Sequence, residues 1–358
     1  MMKKVEILLR HTILKILLLF SVRRTSLDKP VVTSKSKVLF IRLNRIGDAL
    51  VTTPLLHQIK QQIDCSVFVL ADSKNHFIFQ HCPAVDVTLK YEKGLKGIQK
   101  VKSLIQKNEI DTIVDLHDDV STSVSFILSL ALTKQIFGLK KENEKLYTHT
   151  VDRLNSSAHH IVERTLKLSN LFEIELDYQS AKIDYQINQE SLDFAESFIN
   201  KFRDKFILGI NITAGSEARF WGVDNNKSLI SLLKNYDIKY IVFTNEEFFD
   251  KAKLIANEKN IYPPSKYFDI FAAGISKLNM LFTPDTSVVH ICSEFEIPVF
   301  GLYVKYKTND MIWSPYNTEF ESIITEDPTL QNVTFDEVKN KLIPFLEKQL
   351  NAERNTKL

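Results

Sequence analysis

Cysteine is scarce in this sequence, and the scarcity limits the kinds of site that the chain can hold. The chain of 358 residues has three cysteines, Cys65, Cys82 and Cys292, an odd number scattered along its length. They form no CxxC pair and show no spacing typical of metal ligands. The pattern indicates a reducing compartment and argues against structural zinc, so no metal site is predicted.

A charge excess and the glycine-rich phosphate loops are also missing. Lys and Arg number 46 against 44 Asp and Glu, a formal net charge of +2, so the composition does not indicate a nucleic-acid partner. Neither GxGxxG nor GxxxxGK[ST] occurs. A nucleotide-dependent oxidoreductase shares the strand–helix alternation of this chain, but the missing glycine fingerprint disfavours it.

No apolar run near the N-terminus is long enough to cross a bilayer. Residues 1–24 are rich in aliphatic side chains, but Lys and Arg interrupt them and the longest apolar part is residues 16–20. Residues 22–24 also make a poor signal-peptide cleavage site. We predict that residues 1–30 are a basic amphipathic segment, either on the inner face of the inner membrane or packed on the protein's own surface. The expected location is cytoplasmic, with peripheral membrane attachment on the first alternative.

Apolar runs that alternate with helical patterns predict an α/β fold with doubly wound parallel sheets. Strands are predicted at residues 37–43, 65–71 and 112–116, with a helix at residues 49–62 after the first of them. The alternation restarts with strands at 206–211, 239–244, 280–283 and 299–303. Residues 181–187 alternate as an edge or linking strand would. Because the chain exceeds what one hydrophobic core usually organises, we predict domains at residues 31–190 and 191–358.

Ligands bind at the carboxyl ends of strands in open parallel sheets, and three loops there carry candidate site residues. In the first loop, Gly47 permits a tight turn, and Asp48 either caps the next helix or acts as general base on an acceptor hydroxyl. In the second, residues 211–221, small residues surround Arg219, which either grips a phosphate or is a solvated surface arginine. In the third, residues 283–290, helix amides favour a diphosphate, although Asp285 and Thr286 also suit a helix cap and His290 suits a packed core.

Taken together, the three loops resemble glycosyltransferase family 9, the ADP-heptose:lipopolysaccharide heptosyltransferases. The stretch VLFIRLNRIGDALVTTPLLHQIK is similar to the family's opening strand, IGD turn and TTP helix. ITAGSEARFWGVDNNKSLISLL is similar to its segment with a basic residue and a tryptophan. FTPDTSVVHICSEFEIPVFGLYVKYKTNDMIWSPY is similar to its DTG-x-x-H helix and aromatic-proline closure. The ordered trio covers most of residues 37–316.

The resemblance implies a GT-B arrangement, two Rossmann-like domains facing a central cleft, with the acceptor mainly on the first and the nucleotide sugar mainly on the second. It implies an inverting, metal-independent transfer without a cofactor, from a nucleotide-diphosphate donor such as ADP-heptose to a lipopolysaccharide or lipid-linked acceptor. Asp48 is then the base, and Arg219 stands where the family commonly has a lysine beside the leaving phosphates. Asp285, Thr286, Ser287 and His290 stand where the family binds the donor, and the small residues Thr213, Gly215 and Ser216 are further donor candidates because they let the backbone approach an anion. Asn44, Arg45 and His117 are the acceptor candidates, although a solvated role suits Arg45 at least as well.

Several positions depart from the family's pattern. Ser287 replaces the usual glycine, residues 244–246 (TNE) replace a glycine-rich turn, and residues 304–306 (VKY) replace Gly-Pro-Thr. Asp118 and Asp119 replace a glycine-led segment of the acceptor domain. The changes in the donor half raise a second hypothesis, a non-catalytic binding or scaffold protein of the GT-B fold with a degenerate donor site. Stabilisation by nucleotide sugars distinguishes the two.

Overall fold

The computed structural model describes residues 2–43 and 45–356. The chain divides into two compact units, residues 1–184 and 185–358. Each unit has one parallel β-sheet with helices between its strands, which confirms the predicted α/β class. Asn44, a predicted acceptor residue, lies outside the described residues.

The first unit has six parallel strands and seven described α-helices. The strands are β1 (Lys37–Arg42), β2 (Ser66–Asp72), β3 (Val87–Tyr91), β4 (Thr112–Asp115), β5 (Gln135–Leu139) and β6 (His149–Val151). The helices are α1 (Met2–Phe20), α2 (Ile46–Leu50), α3 (Thr53–Ile63), α4 (Phe77–Gln80), α5 (Leu95–Lys107), α6 (Thr122–Leu130) and α7 (Ile161–Leu166). The strand order β3-β2-β1-β4-β5-β6 is that of a Rossmann fold, and it reverses between β1 and β4.

The second unit has five parallel strands and six described α-helices. The strands are β7 (Phe206–Asn211), β8 (Ile238–Phe243), β9 (Met280–Pro284), β10 (Val299–Val304) and β11 (Phe320–Thr325). The helices are α8 (Gln189–Ile199), α9 (Val223–Leu233), α10 (Phe249–Ile255), α11 (Phe268–Ile275), α12 (Val288–Glu294) and α13 (Phe335–Thr356). The order β8-β7-β9-β10-β11 is the other common doubly wound order, and it reverses between β7 and β9.

The central strands of both sheets are apolar runs, which suits parallel strands because helices cover both faces of such a sheet. In the first unit Leu39 and Ile41 of β1 pack in one cluster with residues of α5 and α6. In the second unit all six residues of β7 are buried, and Leu208 and Ile210 pack with residues of α9 and α13. Each unit therefore has a hydrophobic core of its own, on both sides of its central strand.

Three local predictions are wrong. Gly47 lies within the helix α2 instead of in a turn, so that Asp48 is in the first turn of this helix. The predicted helix at residues 49–62 is divided, because the chain leaves α2 at Val51 and begins α3 two residues later with Pro54 in its first turn. Residues 181–187 form no strand. The strands β3, β5, β6 and β11 were not predicted; β3 and β11 lie at sheet edges and expose part of their side chains.

The N-terminal helix α1 packs on the first unit. Leu14 is buried, and Leu18, one turn further on, contacts the core cluster that includes α6. The Arg24 guanidinium donates to the carbonyl oxygens of Ser129 and Ala131 at the end of α6, at 3.0 and 2.9 Å. Among the described residues, none of the helices has the length and apolar character needed to cross a membrane.

Candidate active site

The predicted site residues follow the strands at which each sheet reverses its order. In the first unit Asp48 follows β1 and His117 follows β4, and β1 and β4 are hydrogen-bonded neighbours. In the second unit Arg219 follows β7 and Asp285 follows β9, which are also neighbours. The crevice outside the carboxyl ends of such a strand pair is where doubly wound sheets bind ligands. The topology thus supports a ligand site in each unit at the positions chosen from sequence.

The carboxylate of Asp48 is held by a buried arginine. Arg42, the last residue of β1, is 1% exposed, and its Nη2 donates to Asp48 Oδ1 at 2.9 Å. Its Nε donates to the Asp48 carbonyl oxygen at 2.9 Å and its Nη1 to the Leu116 carbonyl oxygen at 2.7 Å. Burial lowers the pKa of the guanidinium, while the carboxylates of Asp48 and Asp115 act in the opposite direction. Because all three nitrogens have acceptors, the cation stays in place and orients Asp48.

Asp48 remains accessible in spite of this contact. Its side chain is 17% exposed, against 1% for that of Arg42. The second carboxylate oxygen, Oδ2, accepts no hydrogen bond from the described residues. A carboxylate with one oxygen anchored and the other open is able to accept a proton from a bound hydroxyl.

His117 belongs to a buried network beneath the same loop. Its Nδ1 contacts Asp115 Oδ1 at 2.7 Å, and its Nε2 accepts from the Leu43 amide at 3.1 Å. The other oxygen of Asp115 accepts from Lys141 Nζ at 3.0 Å and from the Tyr147 hydroxyl at 2.7 Å. Because Nε2 accepts from a backbone amide, the ring is neutral and donates from Nδ1, and burial lowers the pKa of His117 in the same direction. Both ring nitrogens are thus used inside the unit, where they hold the chain between β1 and α2.

The Asp115 carboxylate stays ionised in this network. Burial alone would raise its pKa, but the Lys141 ammonium and His117 outweigh burial and hold the pKa well below the usual range. The side chains of Asp115 and Lys141 are 0% and 2% exposed. A buried ion pair of this kind is a rigid support, because removing either partner leaves an uncompensated charge.

The acidic segment after β4 is compensated by two arginines. Asp118 pairs with Arg153 at 2.6 Å and with Arg164 at 2.9 Å, and Asp119 pairs with Arg153 at 2.9 Å.

Arg45, a predicted acceptor contact, is exposed at the start of α2. The surface near Asp48 therefore carries an exposed cation.

Asn211 organises the second-unit loops. It ends β7 and is 1% exposed, and its Nδ2 donates to Thr283 Oγ1 at 2.9 Å and to Thr286 Oγ1 at 3.4 Å. Its Oδ1 accepts from the Thr213 amide at 3.0 Å and also from the Thr213 hydroxyl. One amide side chain thereby ties two predicted donor residues, Thr213 and Thr286, to adjoining strand ends.

Arg219 lies beside Asp285 in the same unit. Its Nη2 is 3.1 Å from Asp285 Oδ2, and its Nη1 donates to the Asp285 carbonyl oxygen at 3.2 Å. The side chains are 34% and 23% exposed, so the pair is open to solvent and to a ligand. Asp285 orients the guanidinium, whose remaining N–H groups are available to a phosphate.

The other predicted donor residues lie on the two chain segments that carry this pair. Ser216 and Gly215 precede the turn Glu217–Arg219, and a Cβ atom placed on Gly215 would meet nothing within 4 Å. Ser287 precedes α12 with φ of −58°, a conformation that does not need glycine. His290 is buried in α12 with its ring 6.1 Å from that of Trp313. The serine in place of the family's glycine therefore introduces no backbone strain.

Two residues that sequence reasoning did not select, Arg42 and Asn211, make many of the hydrogen bonds that position these loops. Each is the polar last residue of a largely apolar, buried strand, KVLFIR and FILGIN, which is a signal that a sequence reading can use. Lys141 gave no such signal, because it is 26 positions from its partner Asp115.

Two Rossmann-like units are the architecture of the GT-B class of fold. The model of glycosyltransferase family 9 (heptosyltransferase) matches residues 98–341, more than half of the chain. The chain belongs to this family and is a glycosyltransferase.

The chain is similar to several known proteins. It is 21% identical over 300 residues to the lipopolysaccharide core heptosyltransferase OpsX of Haemophilus influenzae, covering 80% of this chain and 84% of that protein. A family 9 glycosyltransferase from Veillonella parvula superposes with a TM-score of 0.75 at 14% identity, over 89% of this chain and all of the other. The heptosyltransferase WaaC of E. coli, solved with ADP-2-deoxy-2-fluoro heptose, superposes with a TM-score of 0.67 at 17% identity, over 87% and 99% of the two chains. At these identities the structures establish the shared fold.

Proposed function

We propose that this glycosyltransferase moves heptose, or a related sugar, from a nucleotide-diphosphate donor, ADP-heptose, to a lipopolysaccharide core acceptor. The observation that carries the proposal is the accessible Asp48 carboxylate, held by the buried Arg42 at the point of strand reversal in the first unit. The similarity to a lipopolysaccharide core heptosyltransferase and to a structure with a bound ADP-heptose analogue supports this choice of substrates.

In the proposed reaction Asp48 Oδ2 takes the proton of an acceptor hydroxyl. The acceptor oxygen attacks the anomeric carbon of the donor, and the bond from that carbon to the diphosphate breaks in the same displacement. The configuration at this carbon is inverted, and the nucleoside diphosphate leaves. Arg42 keeps Asp48 in position, and the network of His117 and Asp115 keeps the loop before α2 in position.

Arg219 is the proposed stabiliser of the leaving diphosphate. The negative charge on the diphosphate grows as the bond breaks, and a pre-oriented guanidinium stabilises that charge without a metal ion. The contact with Asp285 supports this role, because it fixes the cation at the end of β9 and leaves it partly exposed. Thr213, Gly215, Ser216, Thr286, Ser287 and His290 are the proposed surroundings of the donor, and Asn44 and Arg45 those of the acceptor.

Attachment to an anionic membrane surface is part of the proposal, because a lipid-linked acceptor resides there. Beyond the packed side of α1, the exposed apolar residues Leu19, Phe20 and Val22 lie near the exposed Lys15 and Arg23. Apolar side chains flanked by cations are typical of segments that bind the headgroup region.

The replacement Asp48→Asn tests the mechanism. It keeps the size of the side chain and an oxygen for Arg42 but removes the base, so we expect turnover to fall by about 100- to 10,000-fold. Donor affinity should stay within about threefold, because Asp48 belongs to the acceptor half. Transfer to core oligosaccharide is measured by release of the nucleoside diphosphate, and donor affinity by calorimetry.

Asp64→Asn is the matched control. Asp64 lies at the far end of α3 with a side chain 79% exposed, in a left-handed conformation that asparagine tolerates. This variant should turn over like the natural chain. Retained turnover of Asp48→Asn would remove Asp48 from the role of base. A lack of transfer by the natural chain from any ADP-, GDP- or UDP-sugar would refute the proposed function itself.

A further inference from the structure

Three side chains with metal-binding atoms meet in the first unit, in a cluster that the transfer mechanism does not use. His57 is on α3, Cys82 follows α4, and Asp184 is the last residue of the unit. His57 Nε2 is 3.1 Å from Asp184 Oδ2 and 3.7 Å from Cys82 Sγ, and the three atoms lie within 4.8 Å of one another. One nitrogen, one sulfur and one oxygen therefore surround a common point.

The arrangement differs from that of a nucleophilic triad. In a triad the carboxylate contacts one imidazole nitrogen and the nucleophile contacts the other, so that the ring passes a proton between them. Here the carboxylate and the thiol both face Nε2. Convergence of three ligand atoms on one position is the geometry that a metal ion requires.

The distances fit a tetrahedral ion. Bonds of about 2.3 Å to sulfur and about 2.0–2.2 Å to nitrogen and oxygen place the ligand atoms about 3.4 Å (N to O) and about 3.6 Å (N to S) apart. The observed separations, 3.1 and 3.7 Å, differ from these by a few tenths of an ångström. The third separation, between sulfur and oxygen, is at most 4.8 Å.

The backbone around the cluster is anchored independently of any ion. The Asp184 amide donates to Thr53 Oγ1 at 2.9 Å, one helical turn before His57 on α3. Gln58 Nε2 donates to the Asp177 carbonyl oxygen at 2.8 Å. Cys82 is 4% exposed and follows the buried residues of α4. The ligands are therefore positioned before an ion binds.

We propose that His57, Cys82 and Asp184 bind a zinc ion. Zinc accepts imidazole, thiolate and carboxylate ligands together, and its two positive charges balance one thiolate and one carboxylate. The net charge of the ion with its ligands is therefore zero, which suits a site whose His57 and Asp184 side chains are only 27% and 14% exposed. The ion joins residues 177–184 to α3, and so fixes the end of the first unit. The ion takes no part in the proposed transfer step.

Cobalt is the spectroscopic probe for this site. The full-length chain is freed of metal with a chelator and titrated with Co²⁺, and the absorption band for charge transfer from thiolate to cobalt is recorded. We expect one equivalent to produce the band and Zn²⁺ to abolish it by displacement. The absence of this band from the folded natural chain would overturn the proposal.

Two variants and one control assign the ligands. Cys82→Ala should lose the band, whereas Cys65→Ala, which removes a buried thiol elsewhere in the unit, should keep it. Asp184→Asn should keep the band but raise the dissociation constant at least about tenfold, because a neutral amide of the same size replaces the carboxylate ligand. A band that persists in Cys82→Ala, or unchanged affinity in Asp184→Asn, would show that the metal binds elsewhere.

Discussion

At the scale of single residues, a charged group at the end of an apolar strand is what organises the proposed acceptor loop. Arg42 is fully buried, and such a cation is tolerated only because each of its donors has an acceptor. Two of its three acceptors belong to Asp48. The arginine thus supports the fold and at the same time fixes the carboxylate that the proposed chemistry needs.

Gly215 provides a prediction at this scale. Its backbone is not in the left-handed region, and a Cβ atom there would contact nothing within 4 Å, so neither the fold nor the packing requires glycine. If a phosphate of the donor lies against this backbone, Gly215→Ala should leave the free energy of unfolding within about 0.5 kcal/mol of the natural chain. The KM for the donor should rise about tenfold or more. Urea unfolding and steady-state kinetics measure the two quantities.

Gly209→Ala serves as the comparison. A Cβ atom at Gly209 would lie 2.3 Å from Leu278 Cδ1, so this variant should lower the free energy of unfolding by about 1–3 kcal/mol through overpacking. A donor KM for Gly215→Ala equal to that of the natural chain would exclude Gly215 from the donor site.

At the scale of secondary-structure elements, α1 presents two different sides. Leu14 and Leu18 are one turn apart and face the unit, while Leu19 and Phe20 are 76% and 81% exposed. The alternatives drawn from sequence, packing on the protein and lying on a membrane, are therefore compatible, because each uses a different side of the helix. The structure establishes the packing, and the membrane contact stays a prediction.

Changing the exposed side tests that contact. The double variant Leu19→Ser/Phe20→Ser should bind vesicles containing phosphatidylglycerol at least about tenfold more weakly than the natural chain, because two apolar side chains no longer enter the headgroup region. The fold should be unaffected, since both positions are exposed. Co-sedimentation with vesicles measures the binding, and added salt should weaken it further.

Leu254→Ser is the control for this experiment. Leu254 is 62% exposed on α10 in the second unit, far along the chain from the cationic segment. Its replacement should leave vesicle binding unchanged. Equal binding by the double variant and the natural chain would refute the membrane role of α1.

At the scale of the whole molecule, the two separate hydrophobic cores make donor binding measurable as stability. A donor present at 100 times its dissociation constant adds about 2.7 kcal/mol to the unit that binds it, which raises the melting temperature by about 5–10 °C. We expect ADP-heptose to produce this shift and NAD(H) to produce none. Arg219→Ala should reduce the shift, because the diphosphate loses its guanidinium partner. Differential scanning calorimetry measures the melting temperatures of the natural chain and of Arg219→Ala with and without each ligand.

The same measurement decides between the enzyme and the alternative of a degenerate donor site. No shift with any ADP-, GDP- or UDP-sugar would favour a scaffold protein. The relaxed backbone at Ser287 argues for an intact loop, because serine there replaces the family's glycine without a strained φ. An undiminished shift in Arg219→Ala would remove the arginine from the proposed donor site.

Local patterns in the chain were sufficient to predict the α/β class, the central strands and the loops that carry Asp48, Arg219 and Asp285, because buried parallel strands are continuous apolar runs and ligands gather at their carboxyl ends. The strands β3 and β11 escaped prediction, since they lie at sheet edges and are partly exposed, and therefore lack such runs. Only the tertiary structure brought Lys141 to Asp115, and His57 and Cys82 to Asp184. These partners lie between 26 and 127 positions apart in the sequence. The packing of helices against the sheet sets the distances between them, and no local spacing in the sequence records that packing.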